Sequence, residues 1–169
     1  MAEFIGQEVV ERDEKLASAL YNRSNYGTLK KGELYLSLVE AFFLLEKGKI
    51  KVIRGKKPLD KESFLKLARR YDKRFLIRYT VYKDLRERGY VVKTALKYGA
   101  DFRVYPKGKK MGEDHSKWVV FVVHESERFN WKNFAAMMRV AHSVRKSLLI
   151  AVVDDELDVT YYETDWLKP

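Results

Sequence analysis

The chain has 169 residues, 34 of them Lys or Arg against 24 Asp or Glu, giving a net charge of +10, and it contains no cysteine. Without cysteine there is no disulfide framework, thiol nucleophile or thiolate metal site, and a hydrophobic share of 46% excludes a disordered chain. The surplus of positive charge attracts polyanions, nucleic acid above all, and aromatics at 14% offer faces on which bases stack. No apolar run approaches the ~20 residues of a membrane span, and the opening MAEFIGQEVVERDEK lacks a signal-peptide core. A cytoplasmic protein with no membrane partner is expected.

In chain order, residues 4–11 read as a first strand, and 15–21 as a short helix closed by the turn-rich stretch 22–27. Over 33–47 the stripe Leu34, Leu38, Phe42, Leu45 predicts a helix, with Gly48 placed to stop it. Residues 49–54 read as a strand and 55–58 as a turn. Asp60 is a candidate N-cap for a helix carrying Phe64, Leu67, Ala68 and Tyr71 at i, i+3, i+4, i+7. After a charged break at 72–74 comes another amphipathic helix (Leu76, Tyr79, Tyr82, Leu85), ending at Gly89. That break divides an N-terminal accessory domain, 1–74, from a C-terminal domain, 75–169.

Beyond Gly89 strands dominate, at 90–95, 101–105 and 118–124. A helix begins near Asn130 (Phe134, Met137, Met138, Ala141), and 148–153 with 159–163 form a hairpin around 154–158. The fold expected is α+β or α/β: a small helix-plus-sheet domain, then a mixed sheet flanked by helices.

The common catalytic signatures are missing: no HExxH, Walker loop, GxGxxG or GxSxG occurs. The stretch 98–117, YGADFRVYPKGKKMGEDHSK, instead joins a short strand to a basic, glycine-broken loop, with Tyr105 at the strand's end and His115 after the loop. A phenol, an imidazole and several cations at one loop mouth point to phosphate chemistry. Asp101, Glu113 and Asp114 could hold magnesium, but Arg103, Lys107, Lys109, Lys110 and Lys117 would compete with a metal cation. Of the other histidines, His124 reads as a strand-end residue. His142, at a helix C-terminus, reads as a cation complementing the helix dipole. On its own His115 is as readily a solvated loop residue as an acid–base group. Lys146 would emerge near it if the strand 148–153 lies beside 118–124, although a lysine at that place is often only a helix cap.

The segments YTVYKDLRERGYVVK (79–93), YGADFRVY (98–105), HSKWVV (115–120) and RVAHSVRK (139–146) resemble the catalytic domain of the archaeal tRNA-splicing (tRNA-intron) endonucleases. The N-terminal half is similar, more loosely, to that family's small accessory domain. By motif, Tyr105 matches the family's catalytic tyrosine, His115 its histidine, Lys146 its lysine, and Arg139 an arginine that clamps a bulged RNA base. The resemblance implies a nuclease without metal or other cofactor, acting on the bulge–helix–bulge motif of precursor tRNA. It also implies that an acidic loop (here Asp154, Asp155, Glu156, Asp158) enters a basic groove of a neighbouring subunit. A homotetramer is therefore expected, with the tail carrying Tyr161, Tyr162 and Trp166 in a dimer interface. The competing expectations are a structural subunit lacking activity, a general RNA-binding module and a metal-dependent nuclease.

The chemistry is coherent. Internal transesterification requires a base for the ribose 2′-OH, an acid for the 5′-oxygen and a cation for the phosphorane charge. An imidazole suits the acid and a lysine the cation. The phenol is the least obvious member, because a free phenol is rarely ionised at neutral pH.

Overall fold

The computed structural model describes residues 1–108 and 115–169. They form two compact units, Met1–Leu76 and Ile77–Pro169.

In the first unit the expected strand over 4–11 is two strands, β1 (Ala2–Ile5) and β2 (Glu8–Glu11), because Gly6 takes a positive φ of 61° and turns the chain. Helix α1 (Glu14–Ser24) starts at Asp13, whose carboxylate accepts from the Leu16 amide, and ends at Asn25 in the left-handed conformation. Strands β3 (Thr28–Lys30) and β4 (Glu33–Ser37) precede α2 (Leu38–Glu46). The helix expected over 33–47 is thus shortened at its start. Leu34 and Leu36 are fully buried while Glu33, Tyr35 and Ser37 are half-buried, an alternation of period two that belongs to a strand. Ser37 ends it and caps α2, closing a capping box with Glu40. The other Glu40 oxygen accepts from the Gly27 amide at 2.9 Å. Position 27 tolerates only glycine, since a Cβ there would lie 2.5 Å from the Tyr35 carbonyl oxygen.

A second hairpin, β5 (Val52–Arg54) and β6 (Lys57–Leu59), leads through the Asp60 cap into α3 (Lys61–Tyr71). The sheet order is β3-β4-β2-β1-β5-β6. Its core includes stacked Phe42 and Phe64 rings 5.3 Å apart, with Phe4 edge-on to Phe64 at 5.3 Å.

Helix α4 (Phe75–Glu87) leads into β7 (Val91–Thr94), a 3-10 turn at Leu96–Tyr98, and β8 (Phe102–Tyr105). Then come β9 (Trp118–His124), α5 (Trp131–Ser143), β10 (Ser147–Val153) and β11 (Val159–Thr164). The order is β11-β10-β9-β8-β7, with β9 and β10 parallel and the remaining pairs antiparallel. A parallel pair needs a crossover, and α5 supplies it. The α+β architecture and the placement of the strand 148–153 beside 118–124 are as the sequence reading has them. Among the described residues no helix is long and apolar enough to cross a membrane.

Two polar ties lock this second unit. Asp101 stands 3.0 Å from Arg78 Nε on α4, both largely buried, and its other oxygen accepts from the Val122 amide at 2.7 Å. Tyr161 of β11 donates its hydroxyl to Asp84 of α4 at 2.6 Å. Burial, and then the Asp84 carboxylate, push the Tyr161 phenol far above its ordinary range.

Candidate active site

Strand register decides what meets at one end of the second sheet. Trp118, first residue of β9, pairs with Val104 of β8 on one side and with Ser147 of β10 on the other. One step outward stand Tyr105, Lys117 and Lys146. The Lys117 amide donates to the Val104 carbonyl at 2.9 Å, and the Ser147 amide donates to the Lys117 carbonyl at 3.1 Å. Tyr105 and Lys146, 41 positions apart in sequence, therefore flank the start of β9 on its two sides. Pleating places Tyr105 on the same face as Arg103, two residues earlier.

Lys146 also binds the segment that carries His115. Its Nζ donates to the Ser116 carbonyl at 2.8 Å, fixing the backbone next to the histidine. His115 is exposed, whereas Tyr105 is only 6% exposed. Residues 109–114 lie outside the described residues, and with them the loop cations Lys109 and Lys110 and the acids Glu113 and Asp114. Asp101, the remaining acid of the magnesium expectation, is already engaged by Arg78 and the Val122 amide.

Lys146 is half-buried, with a phenol and a second cation acting on its charge. Burial lowers its pKa from the ordinary lysine value; the Tyr98 phenol opposes that, and Arg103 reinforces it. Arg103 is half-buried, and its Nε has no hydrogen-bond partner among the described residues. Neither cation has an ion-pair partner among them. Two cations in mutual repulsion, one with a buried idle donor, make a site suited to an anion. The tyrosine acting on the Lys146 charge is Tyr98, a residue outside the predicted triad.

Beside Lys146 opens a cleft of about 310 Å³, walled by Lys117, His142, Arg145, Asp165 and Trp166. The Trp166 ring, 62% exposed, stands edge-to-face with His142 at 4.0 Å. Sequence reasoning passed over Arg145, gave His142 to the helix dipole and gave Trp166 to an interface. The legible signal was the i, i+4 step from Met138 to His142, which carries the apolar stripe of α5 into the cleft. Arg139 is exposed on α5, one turn before His142, and is not part of the cleft wall.

His124 lies at the far end of β9, paired with Val153 and remote from this constellation. Its Nδ1 lies 3.2 Å from the Ser126 amide and 2.7 Å from the Ser126 hydroxyl, and its Nε2 lies 3.0 Å from the Asp155 carboxylate. The Asp154 carboxylate accepts from the amides of Glu156 and Asp158, both at 2.9 Å, giving the acidic loop a defined shape. Leu157, at a positive φ of 64°, is exposed among those acids.

Residues 75–161 match the family described as tRNA intron endonuclease, catalytic C-terminal domain, and residues 1–65 match its N-terminal domain. The chain belongs to the tRNA intron endonuclease family. Relatives called tRNA-splicing endonuclease include one from Thermococcus onnurineus, 48% identical over 163 residues, spanning 96% of this chain and 94% of the relative. That of Pyrococcus abyssi is 47% identical over 163 residues, with the same coverage of 96% and 94%. That of Nanoarchaeum equitans is 49% identical over 140 residues, covering 79% of this chain and 90% of the relative. The matched catalytic region, 75–161, includes all of β8, β9 and β10, and with them Tyr105 at the end of β8, His115 before β9 and Lys146 before β10.

Proposed function

We propose that this protein is a tRNA-splicing endonuclease that cuts precursor tRNA at bulge–helix–bulge sites by internal transesterification, needing neither metal nor other cofactor. The observation that carries the reading is the Lys146 bond to the Ser116 carbonyl, which ties a half-buried cation to the backbone beside His115. Tyr105 takes the proton of the 2′-OH at the cut site. The 2′-oxygen then bonds to phosphorus while the bond from phosphorus to the 5′-oxygen breaks, and His115 supplies the proton that the leaving oxygen needs. Lys146, supported by Arg103, offsets the charge gathering on the non-bridging oxygens. The products carry a 2′,3′-cyclic phosphate and a 5′-hydroxyl.

The cleft beside Lys146 receives a nucleotide flanking the cut, with the exposed Trp166 face available for base stacking. Arg139, on the helix that ends in this cleft, is assigned to grip a bulged base. The protein works in the cytoplasm as a homotetramer, and the acidic loop Asp154, Asp155, Glu156 and Asp158 docks into a basic groove of a neighbouring subunit. Charge complementarity supports that assignment, since an acidic block stands out on a chain of net charge +10. The test is cleavage of a bulge–helix–bulge RNA in EDTA with analysis of the product ends. Cyclic phosphate and 5′-hydroxyl termini are expected; 5′-phosphate termini, or no cutting until metal is added, would overturn the mechanism.

A further inference from the structure

A second basic cleft lies wholly within the first unit, where the β5–β6 hairpin faces α3. It encloses about 230 Å³, with Arg54 and Lys57 on the hairpin side and Lys66 and Arg70 on the helix side. Leu59 and Leu67 are its apolar lining. The helix side follows from sequence spacing, since Ser63, Lys66, Leu67 and Arg70 stand at i, i+3, i+4 and i+7 on one face of α3. The hairpin side follows from Gly55, whose positive φ of 60° turns the chain so that both basic ends of the hairpin flank one opening.

The charge is concentrated and largely unopposed. Residues 54–70 hold seven cations and two acids, a net +5 that is half of the whole chain's +10. Among the described residues Arg54, Lys57 and Arg70 have no ion-pair partner. Lys66 meets Glu62 at 3.4 Å, an exposed i, i+4 pair that binds it only weakly. The second acid, Asp60, spends its carboxylate on the Ser63 amide as the α3 cap. Folding gains nothing from four exposed like charges around one opening, so a polyanion is the natural occupant.

We infer that this cleft is an auxiliary phosphodiester-binding site, which holds the backbone of the RNA substrate outside the region that is cut. Its guanidinium groups suit paired phosphate oxygens, its lysines act as point charges, and its small apolar lining leaves base identity unread. The site raises affinity for long RNA without altering the chemical step. The inference rests on the proposed RNA substrate, but it adds a place of contact which that proposal does not require.

The test compares two RNAs, a full-length intron-containing precursor tRNA and a short bulge–helix–bulge duplex with minimal arms. The variant is Arg54→Gln, Lys57→Gln, Lys66→Gln and Arg70→Gln together, with a thermal melt to establish that it folds. On the full-length RNA we expect KM to rise roughly tenfold at ~150 mM salt, and the slope of log KM against log salt to fall by about 2 to 4. The single-turnover rate at saturation and the KM for the short duplex should be unchanged. Equal effects on both RNAs, or none on either, overturn the inference. So does an altered mass in solution at an unchanged salt slope, which would make the cleft a protein interface. If the wild-type protein cuts neither RNA, the proposed function itself fails, a result separate from all of these.

Discussion

In the proposed mechanism, partial burial is what fits Lys146 to its role. An ammonium that is partly removed from water and faces Arg103 gains more from an incoming phosphate than a solvated lysine would. The same surroundings make it lose its proton below the pH at which an ordinary lysine does. The alkaline limb of the pH–rate profile should therefore begin to fall before that pH. Lys146→Arg, whose charge persists, should move the limb upward even as its different shape lowers the maximum. Lys146→Ala should reduce the single-turnover rate by about 100-fold or more with little change in KM. A pH profile identical in wild type and Lys146→Arg would remove Lys146 from the chemistry. In stability the sign is set by the ammonium being disfavoured in the fold: Lys146 opposes folding below its lowered pKa, and that penalty is relieved as pH rises towards the ordinary lysine value.

At the scale of elements, β11 is secured by the Tyr161 hydroxyl on Asp84, a bond to a charged acceptor in a half-buried setting. Tyr161→Phe should cost about 1 to 2 kcal/mol of stability, read as a fall in the denaturation midpoint. An unchanged midpoint would mean that the bond adds nothing beyond solvation. The phenol's raised pKa sets the pH sense: stability from this tie is complete below the ordinary tyrosine pKa and is lost as pH rises above it.

How much of this was legible depended on the local signal. Strand β9 is an unbroken apolar run, and α5 announces itself by the Asn130 cap and by Phe134, Met137, Met138 and Ala141, so both stand where the sequence puts them. The β1–β2 hairpin was hidden because one glycine, with no proline or asparagine beside it, makes the turn. Strand β4 was hidden because Leu34 satisfies both a helical stripe with Leu38 and a strand alternation with Leu36. Only the Ser37–Glu40 capping box separates the two readings. For the proposed site, motif order alone brings Tyr105, His115 and Lys146 forward as candidates. The action of Tyr98 on Lys146, the Nε of Arg103 unpartnered among the described residues and the place of Trp166 in the cleft were not legible, because they arise from cross-strand and tail packing that no local spacing encodes.

The whole molecule combines a strongly basic chain with one acidic loop, and that contrast frames the proposed assembly. The loop has a defined shape from Asp154, is touched by His124, and presents Leu157 among its acids, so it offers charge and an apolar tip together. Light scattering of the wild-type protein should give four times the protomer mass of 20.0 kDa. Asp155→Asn with Glu156→Gln and Asp158→Asn should drive dissociation into smaller species, and added salt should push the wild type the same way by screening. A wild-type monomer at both low and high salt would end the assembly proposal.

The central claim, that the RNA's own 2′-hydroxyl is the nucleophile, is tested most directly by single-turnover cleavage of a bulge–helix–bulge RNA carrying one 2′-deoxy nucleotide at the cut site, with EDTA present. The account predicts no cutting at that position and normal cutting at an unmodified site in the same molecule; cutting of the deoxy position at an undiminished rate would contradict it.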